Sequence, residues 1–194
     1  MHQNNPDEIA EHSLAVKAAA GDMLAFNELA KNWNRRIYNF SLRYLGDHDE
    51  AQEAAQQTFI KAYHGIGSLK DGGQFRSWLY VIAGNTCRDA LRKASRSMTE
   101  SLDNMNAPHV YESSAYSQPG QRMARQDMAR VLKQALDKLS EEQRVVLILK
   151  EYEGLKFSEI ARILNEPENT VKSRLYYALK TMKKMLTPFK DERL

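Results

Sequence analysis

Near the C-terminus a group of side chains has the chemistry to hold a polyanion. Lys172, Ser173, Arg174, Tyr176, Tyr177, Lys180 and Lys184 lie in the stretch between Asn169 and Phe189, where no acidic residue occurs. Lys172, Tyr176 and Lys180 are spaced by four, as are Ser173 and Tyr177, so on a helix each set lies along one side. Val171, Leu175, Ala178, Met182 and Met185 recur at steps of four, three, four and three, which predicts a separate, buried stripe. Lysines on the free face would neutralise phosphates, with an affinity that falls steeply with salt. Arg174, Ser173 and the tyrosines suit phosphate, base edges or thymine methyls. A lysine-rich face is also common on ordinary bundle helices. Two adjacent outward tyrosines and the missing acids favour DNA.

Such a face needs a support that aims it. Upstream, Ser158 can cap a short helix carrying Ile160, Ala161, Ile163 and Leu164. Asn165-Glu166-Pro167-Glu168 breaks it, because Pro167 disfavours helix at the residue before it, and Asn169 can cap the next helix. A short helix, a tight turn and a basic second helix are the parts of a helix-turn-helix. Before it, a helix from about Arg122 to Leu139 is expected. Ser140 then caps another, with Glu141 and Glu142 in its first turn, ending at Gly154.

The N-terminal half also reads as helices. Phe26, Leu29, Trp33, Ile37 and Phe40 form one face of a long helix bounded by Gly21-Asp22 and Gly46-Asp47. A third helix carries Ala51, Ala55, Phe59, Ala62 and Tyr63, and a loop with four glycines runs from Gly65 to Gly73. A fourth runs from about Phe75 to Ser95, with Trp78 and Ile82 on its apolar face and Cys87 packed inside. Period-two alternation is absent, so the chain is expected to be all-α, with two small helical domains. Between them, residues 99–120 hold no Lys or Arg and three acids and form a flexible acidic linker. The domains are therefore 1–98 and 121–194.

Composition removes several classes of function. With 42% hydrophobic and 27% charged residues the balance is that of a globular protein. No run approaches a membrane span, and the polar N-terminus does not resemble a signal peptide, so the protein is expected in the cytoplasm and not in the membrane. One cysteine excludes an internal disulfide. The net charge is +3, but residues 121–194 carry 16 basic against 11 acidic side chains, whereas residues 1–98 carry 12 against 11. No P-loop, Gly-x-Ser-x-Gly or His-Glu-x-x-His motif occurs, so no catalytic residue, metal or cofactor is expected. Asp47, Asp49 and Glu50 beside His48 are better explained by a helix N-terminus than by a metal.

Leu155-Lys-Phe-Ser-Glu-Ile-Ala-Arg-Ile-Leu, Pro167 and Thr170-Val-Lys-Ser-Arg-Leu together resemble region 4 of extracytoplasmic-function sigma factors. Gly21-Asp22 with Ala25-Phe26, Ala54-Ala-Gln-Gln-Thr-Phe-Ile-Lys-Ala-Tyr, and Phe75-Arg-Ser-Trp-Leu-Tyr-Val-Ile-Ala-Gly-Asn-Thr resemble region 2 of the same family. One departure is Asn169, where many members carry glycine; another is Tyr177, where many carry arginine.

The resemblance implies an alternative sigma factor that binds core RNA polymerase and directs it to promoter DNA. Region 2 would contact the polymerase through Asp49, Glu50, Glu53, Gln56 and Gln57. It would also read the −10 element through the loop with Lys70, Asp71, Gly72 and Gly73, and through Asn85, which presents both a donor and an acceptor. Arg76, Tyr80, Arg88, Arg92 and Lys93 would contact the strand. Region 4 would read the −35 element. The resemblance also implies an anti-sigma factor, often membrane-bound, as a partner. The acidic linker would avoid duplex DNA and lie along a basic polymerase channel. Two other classes compete: a helix-turn-helix regulator binding duplex DNA alone as a dimer, and a pure protein-interaction module. A regulator would carry a ligand or receiver domain at its N-terminus.

Overall fold

The computed structural model describes residues 6–100 and 130–187. Most of the expected linker, and the first residues of the expected C-terminal domain, fall outside them. No strand occurs among the described residues. The elements are α1 (Pro6–Ala19), α2 (Met23–Leu45), α3 (His48–Gly65), α4 (Phe75–Glu100), α5 (130–137), α6 (Glu141–Leu147), α7 (Phe157–Leu164) and α8 (Glu168–Leu186).

The sequence breaks become caps. Gly21, at φ 99, turns the chain, and Asp22 accepts hydrogen bonds from the N–H groups of Leu24 (2.9 Å) and Ala25 (3.1 Å) at the head of α2. Gly46, at φ 78, ends α2, and Asp47 accepts from the N–H groups of Asp49 and Glu50 to start α3. Each carboxylate cap contributes about 1 kcal/mol. Ser140 and Gln143 form a reciprocal capping box on α6.

Five expectations change. The glycine-rich stretch holds two short 3-10 turns, Ile66–Ser68 and Gly72–Gln74, and α4 runs on past Ser95 to Glu100. Ser158 is not a cap: α7 starts at Phe157, and the Glu159 carboxylate accepts the Lys156 N–H at 2.6 Å. Asn169 is not a cap either. Pro167, fixed at φ −59, ψ 142, sets the entry to α8, which begins at Glu168. The helix expected to run to Gly154 widens into a π turn at Ile148–Tyr152.

Two apolar surfaces meet in one connected core. Trp33 on α2 packs edge-on against Phe75 (6.0 Å between ring centres) and Tyr80 (5.7 Å) of α4. Ala51, Ala54, Ala55 and Ala62 line the buried side of α3 and let it approach closely. In the C-terminal unit the predicted stripe of Val171, Leu175, Ala178 and Met182 is buried. Trp78, expected in the core, is half-buried at its edge, beside Phe75 and Gly65. No described helix is long and apolar enough to cross a membrane.

Cys87 is fully buried, its Sγ 3.6 Å from the Ser41 hydroxyl, and burial pushes its thiol up to about 12. A thiol reagent at pH 8 should therefore leave the native chain unmodified and react at once in guanidinium. Colorimetric titration checks this, and rapid reaction of the folded chain would place Cys87 outside the core.

Candidate nucleic-acid interface

The C-terminal unit presents a helix-turn-helix. Asn165 adopts the left-handed conformation (φ 52), and the Glu166 N–H bonds back to the Ala161 carbonyl, which tightens the turn between α7 and α8. With one stripe of α8 buried, Lys172, Ser173, Tyr176, Tyr177, Lys180 and Lys184 are exposed on the other side. Tyr176 and Tyr177 keep 63% and 55% of their surface, with ring centres 5.4 Å apart. They form an aromatic shelf beside the lysines.

Arg174 is placed differently. It is half-buried and pairs with the Glu166 carboxylate at 3.0 Å, so it ties the turn to the helix. Lys172 pairs with Glu168 at 2.7 Å, four residues earlier. The acid-free window in the sequence is real, but Glu166 of the turn and Glu168 at the head of α8 supply two counter-charges to its cations. The Glu168–Lys172 pair follows from helical spacing; the Glu166–Arg174 pair does not, because Glu166 lies outside α8.

In the N-terminal unit, Asp71 accepts the Gly73 N–H at 2.9 Å and lies 3.9 Å from the His12 ring. Gly72 is buried under α1: a Cβ there would meet the His12 carbonyl at 2.7 Å and Val16 at 3.0 Å. Glycine is needed at that point for close approach. Lys70, Gly73, Asn85, Arg92 and Lys93 are exposed. The Asn85 carbonyl accepts from Arg88 at 2.9 Å. Loop, α1 and α7 enclose a cavity of about 490 Å³ lined by Gly72, Gly73, Arg76 and Lys156.

Tyr80 corrects the sequence expectation. It is fully buried, and Phe40 and Trp33 pack edge-on against its ring, so it is a core residue and not a surface for a strand. Its hydroxyl donates to the Glu153 carboxylate. Burial, followed by the adjacent Glu153 charge, raises its pKa strongly, so it stays a neutral donor. The resemblance places it among the strand contacts. Its position on the inner face of α4 is set by how α4 packs.

The five polymerase candidates lie at the start and on the outer side of α3. Asp49, Glu53 and Gln56 are exposed, and Glu50 and Gln57 half-buried. Gln57 donates to Glu53 at 3.0 Å. Burial, and then the neighbouring Asp47, raise the Glu50 pKa. Of the five, Gln56 alone lines a groove of about 950 Å³ between α2 and α3. The other lining side chains include Asn27, Lys31 and Asn34 of α2, and Phe59, Ile60 and Tyr63 of α3. The α2 wall escapes a reading of the sequence. On the α3 wall, Ile60 and Tyr63 are large apolar residues that the fold leaves exposed, although Tyr63 counts among the apolar positions of the helix.

The two units are in contact. Glu141 accepts from the Tyr44 hydroxyl (2.8 Å) and from Arg88 Nε (3.0 Å). Arg144 donates to the Tyr44 carbonyl (2.9 Å) and Lys133 to the Gly46 carbonyl (2.7 Å). Arg76 donates to the Glu153 carbonyl, and α7 lies against α4. Nothing in the spacing of Glu141 or Glu153 distinguishes them from ordinary helix-end acids.

Comparison with known proteins agrees with this geometry. The family model described as Sigma-70 region 2 matches residues 29–97, and the one described as Sigma-70, region 4 matches 129–182. The chain is 31% identical over 186 residues to the RNA polymerase sigma-H factor of Pseudomonas aeruginosa, covering 94% of this chain and 96% of that protein. It is 27% identical to the ECF RNA polymerase sigma-E factor of Escherichia coli strain K12, covering 94% and 97%. Among solved structures, CnrH in complex with the cytosolic domain of CnrY superposes with a TM-score of 0.69 at 23% identity, covering 92% of this chain and 98% of that one. The sigma factor RpoE in complex with the anti-sigma factor NepR from Bartonella quintana gives 0.68 at 24% identity, covering 84% and 96%.

Proposed function

From the premise that the chain belongs to the sigma-70 family of RNA polymerase sigma factors, in its extracytoplasmic-function class, we propose how its surfaces divide the work. It is an alternative sigma factor: proteins of this family bind core RNA polymerase and direct it to promoters. The α2–α3 groove, with Gln56 in its wall and Glu53 and Gln57 beside it, is the docking surface for the polymerase. The loop at Lys70–Gly73, with Asn85, Arg76, Arg88, Arg92 and Lys93, grips the −10 strand, and Tyr80 supports that surface from inside. The α8 face of Lys172, Ser173, Tyr176, Tyr177, Lys180 and Lys184 enters the −35 major groove. Arg174 positions α8 through Glu166.

The two-sided α8 carries this reading: a buried apolar stripe opposite an exposed face with two tyrosines and no acid after Glu168 in its first turn. The chain itself is non-catalytic, and bond formation belongs to the polymerase. It acts in the cytoplasm, where that enzyme lies. An anti-sigma factor restrains it, a reading supported by the similar sigma factor RpoE, whose solved complex holds the anti-sigma factor NepR.

Run-off transcription with core polymerase and genomic fragments, followed by mapping of start sites, tests the function. No promoter-specific product would overturn it. Lys180→Ala should weaken −35 binding across sequences and make the slope of log affinity against log salt shallower by about 1. Asn85→Ala should relax preference at one −10 base and leave the salt slope unchanged.

A further inference from the structure

Asparagine is a favoured helix cap, and a cap has its side chain spent on the helix end. Asn169 is not spent in this way. Pro167 sets the entry to α8 and no side chain caps it, so Asn169 falls inside the helix as its second residue. It is exposed, and among the described residues its amide has no hydrogen-bond partner. Its place on the helix is on the free face. It lies three residues before Lys172, four before Ser173 and seven before Tyr176, so it continues the row of exposed side chains by one turn towards the head of α8. The rest of the first turn is committed elsewhere: Glu168 is paired, Thr170 is half-buried and Val171 is buried. Lys172, the next exposed residue, is anchored to Glu168 at 2.7 Å and lies over the Phe157 ring of α7 at 5.6 Å. Asn169 is the exposed, uncommitted side chain at the head of the helix.

We propose that Asn169 is a specificity-determining residue that reads an adenine of the −35 element. The proposal rests on the reading of α8 as the −35 helix. In a helix-turn-helix the N-terminal residues of the second helix meet the base edges. A side-chain amide sets one donor beside one acceptor. In the major groove adenine offers the complementary pair, an N6 donor beside the N7 acceptor. Guanine offers two acceptors there, which leaves the amide oxygen facing another acceptor. Glycine, which many members of the family carry at this position, has no side chain to make the contact, so the resemblance does not supply it. A phosphate contact from the same amide would be blind to sequence, and this sets the form of the test.

The test uses the full chain bound to core polymerase and duplexes that carry the −35 element of the mapped start sites, with each base pair replaced in turn at fixed salt. The parent chain should show one A·T pair whose replacement weakens binding about 10-fold and is relieved by changing Asn169. Asn169→Ala should be indifferent to that pair within about twofold, with the penalties at the other pairs and the salt slope as in the parent. Asn169→Asp keeps the shape and exchanges the donor for a second acceptor. It should move the preference at that pair to cytosine, at some cost in overall affinity. Both variants alter an exposed side chain that caps nothing, so circular dichroism should match the parent. Three results would each remove the adenine contact: no such A·T pair in the parent, a penalty that survives in Asn169→Ala, or a loss that is equal on every sequence, which marks a phosphate contact. Lys180→Ala, measured in the same way, separates this idea from the one beneath it. Weakened −35 binding in Lys180→Ala with no change in Asn169→Ala removes the adenine contact alone. No loss in Lys180→Ala removes the −35 assignment of α8, and the adenine contact with it.

Discussion

Replacing Tyr63 by alanine is expected to weaken the complex with core RNA polymerase by roughly 30-fold or more, the effect of losing an aromatic anchor worth about 2 kcal/mol at an interface centre. Tyr63 stands in the wall of the α2–α3 groove, 44% exposed, with its ring edge-on to Phe26 at 5.3 Å. Ile60, 43% exposed, lies one turn away on the same wall. Large apolar side chains left in contact with water, in a groove rimmed by Asn27, Lys31, Asn34 and Gln56, have the anatomy of a protein docking site. The free chain should lose little stability, because Tyr63 already spends much of its surface in water. Competition against a labelled parent chain for core polymerase measures the change. A loss below threefold would move the docking surface away from the groove, towards Asp49 and Glu53 at the exposed end of α3.

Phe40→Ala should cost about 3–5 kcal/mol, the range for emptying a buried phenylalanine site. Phe40 is completely buried and packs against Tyr44 (5.7 Å) and Tyr80 (5.4 Å). At roughly 2–4 °C per kcal/mol for a chain of this size, the midpoint should fall by about 6–20 °C in calorimetry. The same two tyrosines donate to Glu141 and Glu153, so the cavity sits directly behind the contact between the units. Weaker coupling of the units should accompany the loss, read as two separated transitions where the parent chain shows one. A cost under about 1 kcal/mol would mean that the aromatic cluster is not the stabilising centre of the N-terminal unit.

What a chain of residues states by itself is what repeats along one helix or closes within a few positions of a turn. The stripe from Val171 to Met182 follows from the helical period, and so does the opposite face that bears the tyrosines and lysines. The caps at Asp22 and Asp47 follow from short side chains that bond an N–H two or three residues on. The all-α class and the two-part division needed nothing more. The Ser158 and Asn169 caps failed within that same local range, because Pro167 and Glu159 were rivals with better geometry.

The tertiary structure decided everything that depends on residues far apart in sequence. Tyr80 reads as a strand contact by resemblance until α4 packs on α2, which turns its ring inward and leaves its hydroxyl to find Glu153, 73 residues away. Arg174 reads as a DNA contact until the turn brings Glu166 beside it. Glu141 reads as a helix-end acid favoured by the dipole. In the folded chain it also accepts from Tyr44, 97 residues earlier, and from Arg88, 53 earlier. Period and spacing carry no information about such partners. A polar side chain is free to serve solvent, DNA or another helix, and only the packed arrangement of the units selects among them.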